Sequence, residues 1–168
     1  MYPYNLKTKN TPILAKERSR KTNPTTDLSA DRRLLELLQM AKKDATALEK
    51  KYNALLQEEA LKEAEDIIRT METDGKKHQR ILLEILFTIF SDSFEDILEE
   101  IEESEIEQKT VEELLEELLF IELDDIPFYR SLLEAMDEED LWNLLFEILT
   151  DKQNHAAALN HLYAKYMQ

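Results

Sequence analysis

The sequence predicts an all-α fold in which four helices form a bundle from two copies of one helical hairpin. The chain has one glycine in 168 residues, and its wealth of Leu, Glu, Lys and Ala favours helices. Apolar residues recur at helical spacing along most of the chain. The segment TDGKKH at 73–78 also returns 77 residues later as TDKQNH at 150–155. Such a repeat predicts two related helical units.

The register of this repeat holds well outside the two segments. Tyr52 and Tyr129 are equivalent, and each precedes the histidine of its own copy by 26 residues. Further equivalent pairs are Glu36/Glu113, Leu37/Leu114, Leu38/Leu115, Leu55/Leu132, Leu56/Leu133 and Leu82/Leu159. Each copy therefore carries an Asp-x-x-x-His on its second helix.

Residues 1–28 differ from the rest of the chain. They contain three prolines, six Lys or Arg and little apolar periodicity. This composition disfavours a packed segment, so we predict a flexible N-terminal arm followed by one bundle domain at 29–168. Tyr2 and Tyr4 offer an alternative, in which the arm docks on the bundle or on a partner.

The first hairpin is predicted to contain two helices without a glycine or proline between them. The first helix begins at a cap formed by Ser29 or Asp31 and extends through Leu56. The second carries an apolar stripe from Ala64 to Ile89. The stripe pauses at 57–62, so we place the turn there.

The second hairpin follows a long crossover. Residues 91–107 are acidic, with apolar residues at helical spacing, and predict a short helix with a solvated face or, alternatively, a protein-docking surface. A third helix is predicted at 111–136, where Pro127 should interrupt and kink it. The fourth helix covers 138–166, and Trp142 lies beside its apolar stripe, at an end of the core or at an interface.

Composition excludes several classes of function. The chain has no cysteine, which excludes disulfides, a thiol nucleophile and Cys-based metal sites. It has no hydrophobic leader and no long uncharged apolar run, so we expect a cytoplasmic protein that does not enter a membrane. The acidic excess, 37 Asp and Glu against 21 Lys and Arg, disfavours nucleic acid as a partner and favours cations or basic proteins.

Four equivalent positions, one on each helix, are predicted to meet at one level of the bundle. Ala45 and Glu122 each lie seven residues before the tyrosine of their copy. Gly75 and Lys152 each lie three residues before the histidine, on the same helix face. Two-metal carboxylate sites are built at such a level, from a Glu on each of two helices and a Glu-x-x-His on each of the others.

This duplicated pattern resembles the rubrerythrin-like branch of the ferritin-like di-iron superfamily. The strongest local match is at 146–156, with 126–129 upstream, and the resemblance covers about residues 30–166. It implies a ferritin-like four-helix bundle. It also implies glutamates at the four equivalent positions.

The chain departs from the family at most of these ligands. Glu122, His78 and His155 are kept, as the remainder of a vestigial or altered metal site. The lost-ligand positions are Ala45, Gly75 and Lys152. One carboxylate and two imidazoles make a poor di-iron site, so we expect no cofactor; iron or another divalent metal in an altered site is the alternative.

The resemblance also implies what holds the histidines. In this family the Asp of one repeat holds the histidine of the other, which pairs Asp74 with His155 and Asp151 with His78. Such partners fix the tautomer and orientation of a ligand histidine. Without a metal, the two pairs would remain as buried Asp–His contacts.

A further hypothesis concerns the lysine at one lost-ligand position. A carboxylate buried alone would be costly, so we expect the Lys152 ammonium to replace metal charge by pairing with Glu122. Tyr52 and Tyr129 are expected to be packing residues whose hydroxyls reach into the former site.

Two functions follow as expectations. The first is a ferritin-like scaffold without catalysis, which acts as a binding or structural protein with an unknown protein partner or as a homodimer. The alternative is a metal-binding ferritin-like oxidoreductase or metal-storage protein with an altered mono- or di-metal site. An unrelated helical enzyme has little support, because the sequence shows no nucleophile–base pair or phosphate-binding loop.

Overall fold

The computed structural model describes residues 28–90 and 109–166. Every regular element in these two ranges is helical, which confirms the all-α prediction, and four of the elements are long. The long helices are α1 (Leu28–Leu55), α2 (Glu65–Phe90), α3 (Val111–Glu134) and α4 (Glu139–Tyr166). A short 3-10 helix, Glu59–Ala64, lies between α1 and α2.

An ion pair and a cavity fix the relative direction of α1 and α3. α1 and α2 form one hairpin and α3 and α4 the other, because short connections join their ends. Lys51 Nζ on α1 lies 2.9 Å from Glu117 Oε1 on α3, while Asp44 and Asp125 line one cavity farther along. The two helices therefore run antiparallel.

α2 and α4 are also antiparallel. Lys77 Nζ lies 3.2 Å from Glu147 Oε1, and His155 Nε2 lies 3.1 Å from Asp74 Oδ2. As a result, α2 and α3 run in the same direction. The end of α2 and the start of α3 thus lie at opposite ends of the bundle, which is the arrangement that one long crossover connects.

Two apolar clusters, each with residues from all four helices, form the core. The first cluster includes Leu38, Ile85, Leu132 and Leu145. The second cluster includes Leu55, Ile68, Leu115 and Leu159. Along every helix a short interval separates the two clusters. On α2, α3 and α4 these intervals hold the buried polar or charged residues Glu72, His78, Glu122, Lys152 and His155.

The connection between α1 and α2 lies where the pause in the apolar stripe predicts it. α1 ends at Leu55, and the following 3-10 helix buries Leu61 and Ala64. This 3-10 helix was not predicted, since the segment contains no glycine or proline that would mark it. The start of α1 differs from the prediction, because the helix already begins at Leu28, before the proposed cap at Ser29 or Asp31.

α3 begins as predicted and continues through its proline. The Thr110 hydroxyl accepts from Glu113 N, and the Glu113 carboxylate accepts from Thr110 N, which forms a capping box. Pro127 lies inside α3, which remains helical to Glu134, so the predicted interruption is wrong. Proline removes one backbone donor, and the packing of α3 against α4 maintains the helix on both sides. The predicted kink stays a prediction.

Two predicted segments lie outside the described residues. The flexible arm was predicted at 1–28, of which residues 1–27 lie outside the described ranges and Leu28 belongs to α1; the short crossover helix predicted at 91–107 lies wholly outside them. Both stay predictions. Within the described ranges, no helix combines the length and apolar character needed to cross a membrane.

Gly75 lies within α2, buried against Glu49 of α1. A Cβ at this position would lie 3.7 Å from Glu49 Cβ, an ordinary contact distance, and Gly75 does not have a positive φ. Alanine has the higher helix propensity, so Gly75→Ala is expected to raise the free energy of unfolding by about 1 kcal/mol. Urea unfolding monitored by circular dichroism measures this gain. A decrease would mean that the α1–α2 contact lacks the space for a methyl group.

Candidate functional site

A layer of polar side chains crosses the bundle between the two apolar clusters. The charged residues of this layer come from α2, α3 and α4. On each helix they are one, three or four residues apart, so they lie near one face of that helix. This polar layer consists of Asp74, Lys77, His78, Glu122, Asp125, Asp151, Lys152, His155 and the hydroxyl of Tyr52.

Lys152 provides a buried positive charge in this layer. Its side chain is 2% exposed, and Nζ lies 3.0 Å from Glu122 Oε2 and 2.7 Å from Asp125 Oδ2. Burial lowers the pKa of Lys152, but the charges of Glu122 and Asp125 outweigh this effect and raise it above the ordinary lysine value. The side chain is therefore an ammonium, and the hypothesised contact with Glu122 is present.

Glu122 is the most buried carboxylate of the layer, with no exposed side-chain surface. Oε1 accepts a hydrogen bond from the Tyr52 hydroxyl and lies 3.2 Å from His155 Nδ1. Oε2 accepts no hydrogen bond of ordinary geometry from the described residues, so its contact with Lys152 is mainly charge–charge. Burial raises the pKa of Glu122, but Lys152, then His155 and Tyr52, lower it to about 2.

Asp125 also contacts the Lys152 ammonium, but its charged form is stabilised less than that of Glu122. Although Nζ is closer to Asp125 than to Glu122, burial raises the pKa of Asp125, and repulsion from Glu122 and Asp44 adds to this effect. The two partners of the ammonium are therefore shifted in opposite directions. Glu122 carries the persistent negative charge, and Asp125 takes up a proton first on acidification.

Each histidine contacts the aspartate of the opposite hairpin. His155 Nε2 lies 3.1 Å from Asp74 Oδ2, and His78 Nε2 lies 3.0 Å from Asp151 Oδ2. Both contacts expected from the resemblance are thus present. The two contacts are equivalent in the repeat, because Asp74 corresponds to Asp151 and His78 to His155 at the 77-residue offset.

The two imidazoles have different surroundings. The His155 ring lies between two carboxylates, because Nδ1 faces Glu122 and Nε2 faces Asp74, and only the imidazolium form could donate to both. The His78 ring faces one carboxylate, that of Asp151 at Nε2, and burial lowers its pKa despite that aspartate. The ring centroids lie 6.0 Å apart.

Lys77 joins the two Asp–His pairs at the edge of the layer. Its Nζ lies 2.6 Å from Asp151 Oδ2 and 3.2 Å from Asp74 Oδ1, and it also contacts Glu147. Burial raises the pKa of Asp151, but hydrogen bonds from His78 and Lys77 lower it to about 2. The Lys77 ammonium thus contacts both aspartates.

The remaining sequence-predicted residues lie near the layer without carrying charge. Ala45 is 2% exposed and belongs to the first apolar cluster, together with Tyr129. The Tyr129 ring packs edge-on against Phe128, with centroids 5.4 Å apart. Burial raises the pKa of Tyr129, and the negative charge of Asp125 raises it further. The Tyr129 hydroxyl is therefore close enough to the layer to interact with its charges. Gly75 is buried but contributes no side chain.

These donors do not fit a di-metal centre. Among residues 28–90 and 109–166, no three His, Asp or Glu side chains are arranged to hold a metal ion. The only carboxylate kept at the four equivalent positions faces an ammonium, which repels a cation, and both imidazoles are engaged by aspartates. What the layer can do chemically is hold charges of opposite sign in a buried place.

Sequence reasoning missed two members of the layer. Asp125 follows Glu122 by three residues and so shares its helix face, a signal that was available. Lys77 precedes His78 directly, and its equivalent in the second copy is an asparagine, so the repeat did not mark it.

Comparison of the chain with protein-family models, with curated proteins and with solved structures finds no match. The resemblance described above therefore rests on this chain's own residues.

Proposed function

We propose that this protein is a ferritin-like bundle of the rubrerythrin-like type, built from two repeated hairpins, in which a lysine stands where the family holds metal. It acts without catalysis, as a binding or structural protein for another protein or for a second copy of the chain. The swapped Asp–His contacts and the parallel direction of α2 and α3 support the repeat.

The contact of Lys152 with Glu122 carries the proposal. In the family, buried carboxylates are balanced by metal charge, whereas here the ammonium lies 3.0 Å from Glu122 Oε2. A cation brought to the same place would meet this fixed positive charge in a medium of low dielectric constant. The ammonium therefore offsets the buried charge of Glu122 without a cofactor, and these residues lend no support to the redox chemistry of a metal pair.

Metal analysis tests this proposal directly. Protein purified without a metal-affinity tag is expected to contain no stoichiometric iron, manganese or zinc. Adding any of the three divalent ions is expected to leave Tm unchanged, because a ligand raises Tm only when it binds the folded chain. The alternative function, an altered metal site at His78, His155 and Glu122, requires the opposite result in both measurements. Near-stoichiometric metal with a raised Tm would overturn the proposal.

Restoring the missing carboxylates tests the ancestry of the site. The triple variant Ala45→Glu, Gly75→Glu, Lys152→Glu is expected to bind divalent metal and to gain Tm on metal addition. The Cβ of a residue at 75 would make only ordinary contacts, 3.7 Å from Glu49 Cβ. Circular dichroism first establishes that the variant is helical. A folded triple variant that still binds no metal would contradict the assignment of these positions as lost ligands.

A further inference from the structure

An aromatic pair at the start of α4 is packed on itself but remains open to solvent. Trp142 and Phe146 are one turn apart and stacked, with ring centroids 4.9 Å apart and planes inclined by 12°. Their exposed fractions are nevertheless 38% and 47%. Two large rings offer apolar area that a further side chain could cover, and the stack presents a flat face suited to another aromatic ring.

The chain beside this pair is acidic. Five of the seven residues at 134–140 carry carboxylates, none is basic, and all five acidic residues are exposed. Glu139 precedes Trp142 by three residues, so the two side chains share a face of α4. Glu134, Asp137, Glu139 and Asp140 form no ion pair within the described ranges. The surface thus combines an aromatic face with unneutralised negative charge.

The N-terminal arm has the complementary composition. Residues 1–27 hold six Lys or Arg against two acidic residues, although the whole chain carries a net charge of −16. Four of the basic residues lie at 16–21, and Tyr2 and Tyr4 supply aromatic rings. The other long stretch outside the described residues, 91–108, is strongly acidic, so the 134–140 carboxylates would repel it.

The arm joins the bundle at the end where α4 begins, which is the end that carries Trp142 and Phe146. It precedes Leu28, the first residue of α1, and early α1 residues pack in the same apolar cluster as Leu141 and Leu145 at the start of α4. A chain spans up to about 3.3–3.6 Å per residue, so the link from 16–21 to Leu28 can reach roughly 20–40 Å.

We propose that residues 1–27 dock on the Trp142–Phe146 face of their own chain. The basic residues at 16–21 lie against the 134–140 carboxylates, and Tyr2 or Tyr4 covers the stacked rings. A tethered segment acts at a local concentration in the millimolar range, well above that of the arm of a second copy in dilute solution. The docked arm removes apolar surface from water and neutralises part of the acidic surface.

The single tryptophan of the chain makes this docking measurable. In the full chain, the variant Tyr2→Ala with Tyr4→Ala is expected to show an about twofold higher acrylamide quenching constant for Trp142 and a red-shifted emission. Reversing the basic residues (Lys16→Glu, Arg18→Glu, Arg20→Glu, Lys21→Glu) should have the same effect. Added salt should raise quenching of the unmodified chain, because exposed charges are screened.

A control with charge reversals elsewhere separates docking from a change in net charge. Arg33→Glu with Lys43→Glu alters two exposed residues of α1 and should leave the quenching constant of Trp142 unchanged. Equal quenching in the unmodified chain and both arm variants would overturn the proposal. Protection that grows with protein concentration would also overturn it, since the arm would then come from a second copy.

Discussion

Replacing Lys152 with methionine is expected to lower the free energy of unfolding by about 3–5 kcal/mol, the usual effect of leaving one partner of a buried ion pair alone. Methionine fills similar space but leaves Glu122, which has no exposed surface, without its counter-charge. Asp125 loses the same ammonium. Urea unfolding at neutral pH, with circular dichroism as the signal, measures the change.

The same substitution on an outer ion pair provides the control. Lys51 contacts Glu117 at 2.9 Å, but both side chains are more than a fifth exposed, so Lys51→Met should cost about 0–1 kcal/mol. Combining Lys152→Met with Glu122→Gln removes the fully buried charge of Glu122 and should recover part of the lost stability, while Asp125 still lacks its ammonium. A Lys152→Met variant as stable as Lys51→Met would show that the buried ammonium does not stabilise the charge of Glu122.

Acidification is expected to destabilise the bundle in two steps. His78, Asp151 and Glu122 each have a pKa in the folded chain below the ordinary value. The unfolded chain therefore binds more protons, and stability falls as the pH falls. The His78 step begins near its ordinary pKa of 6.5, and the Glu122 step lies between 4.5 and about 2. Protonation of Glu122 alone removes on the order of 3 kcal/mol.

Asp125 opposes this trend, because its pKa is raised in the folded chain and its protonation favours folding. Urea unfolding free energies measured at several pH values between neutral and about pH 2 give the profile. Glu122→Gln should make the lower step smaller, with the contribution of Asp151 remaining, and should leave the step of His78 in place. Stability that stays constant from neutral pH to acid would contradict the charge assignments of the layer.

Much of the fold follows from the chain's own pattern. Helical spacing of apolar residues and a single glycine predict four long helices, and the pause in the stripe predicts the turn after Leu55. The error at Pro127 has a physical cause, since tertiary packing supplies most of the stability of a helix in a protein and can offset the cost of an interior proline. The early start of α1 reflects the limits of cap signals, which place an end only to within a few residues.

The contacts of the layer were predictable only in part. The two Asp–His contacts and the Lys152–Glu122 contact follow from equivalent positions in the repeat together with the family pattern. The contact with Asp125 depends on which way a long lysine side chain turns, and a helical spacing does not specify this. The role of Lys77 depends on three carboxylates from two helices meeting at one point, which only the packed bundle brings together.

The polar layer also determines how the bundle can come apart. Its Asp–His contacts join α2 to α4, and the Tyr52 hydroxyl joins α1 to α3 through Glu122, so both hairpins depend on each other for these partners. Separating the hairpins, or sliding one past the other by a helical turn, would leave buried polar groups unpaired in both. We therefore expect the layer to fix the register of the hairpins and the two hairpins to unfold together.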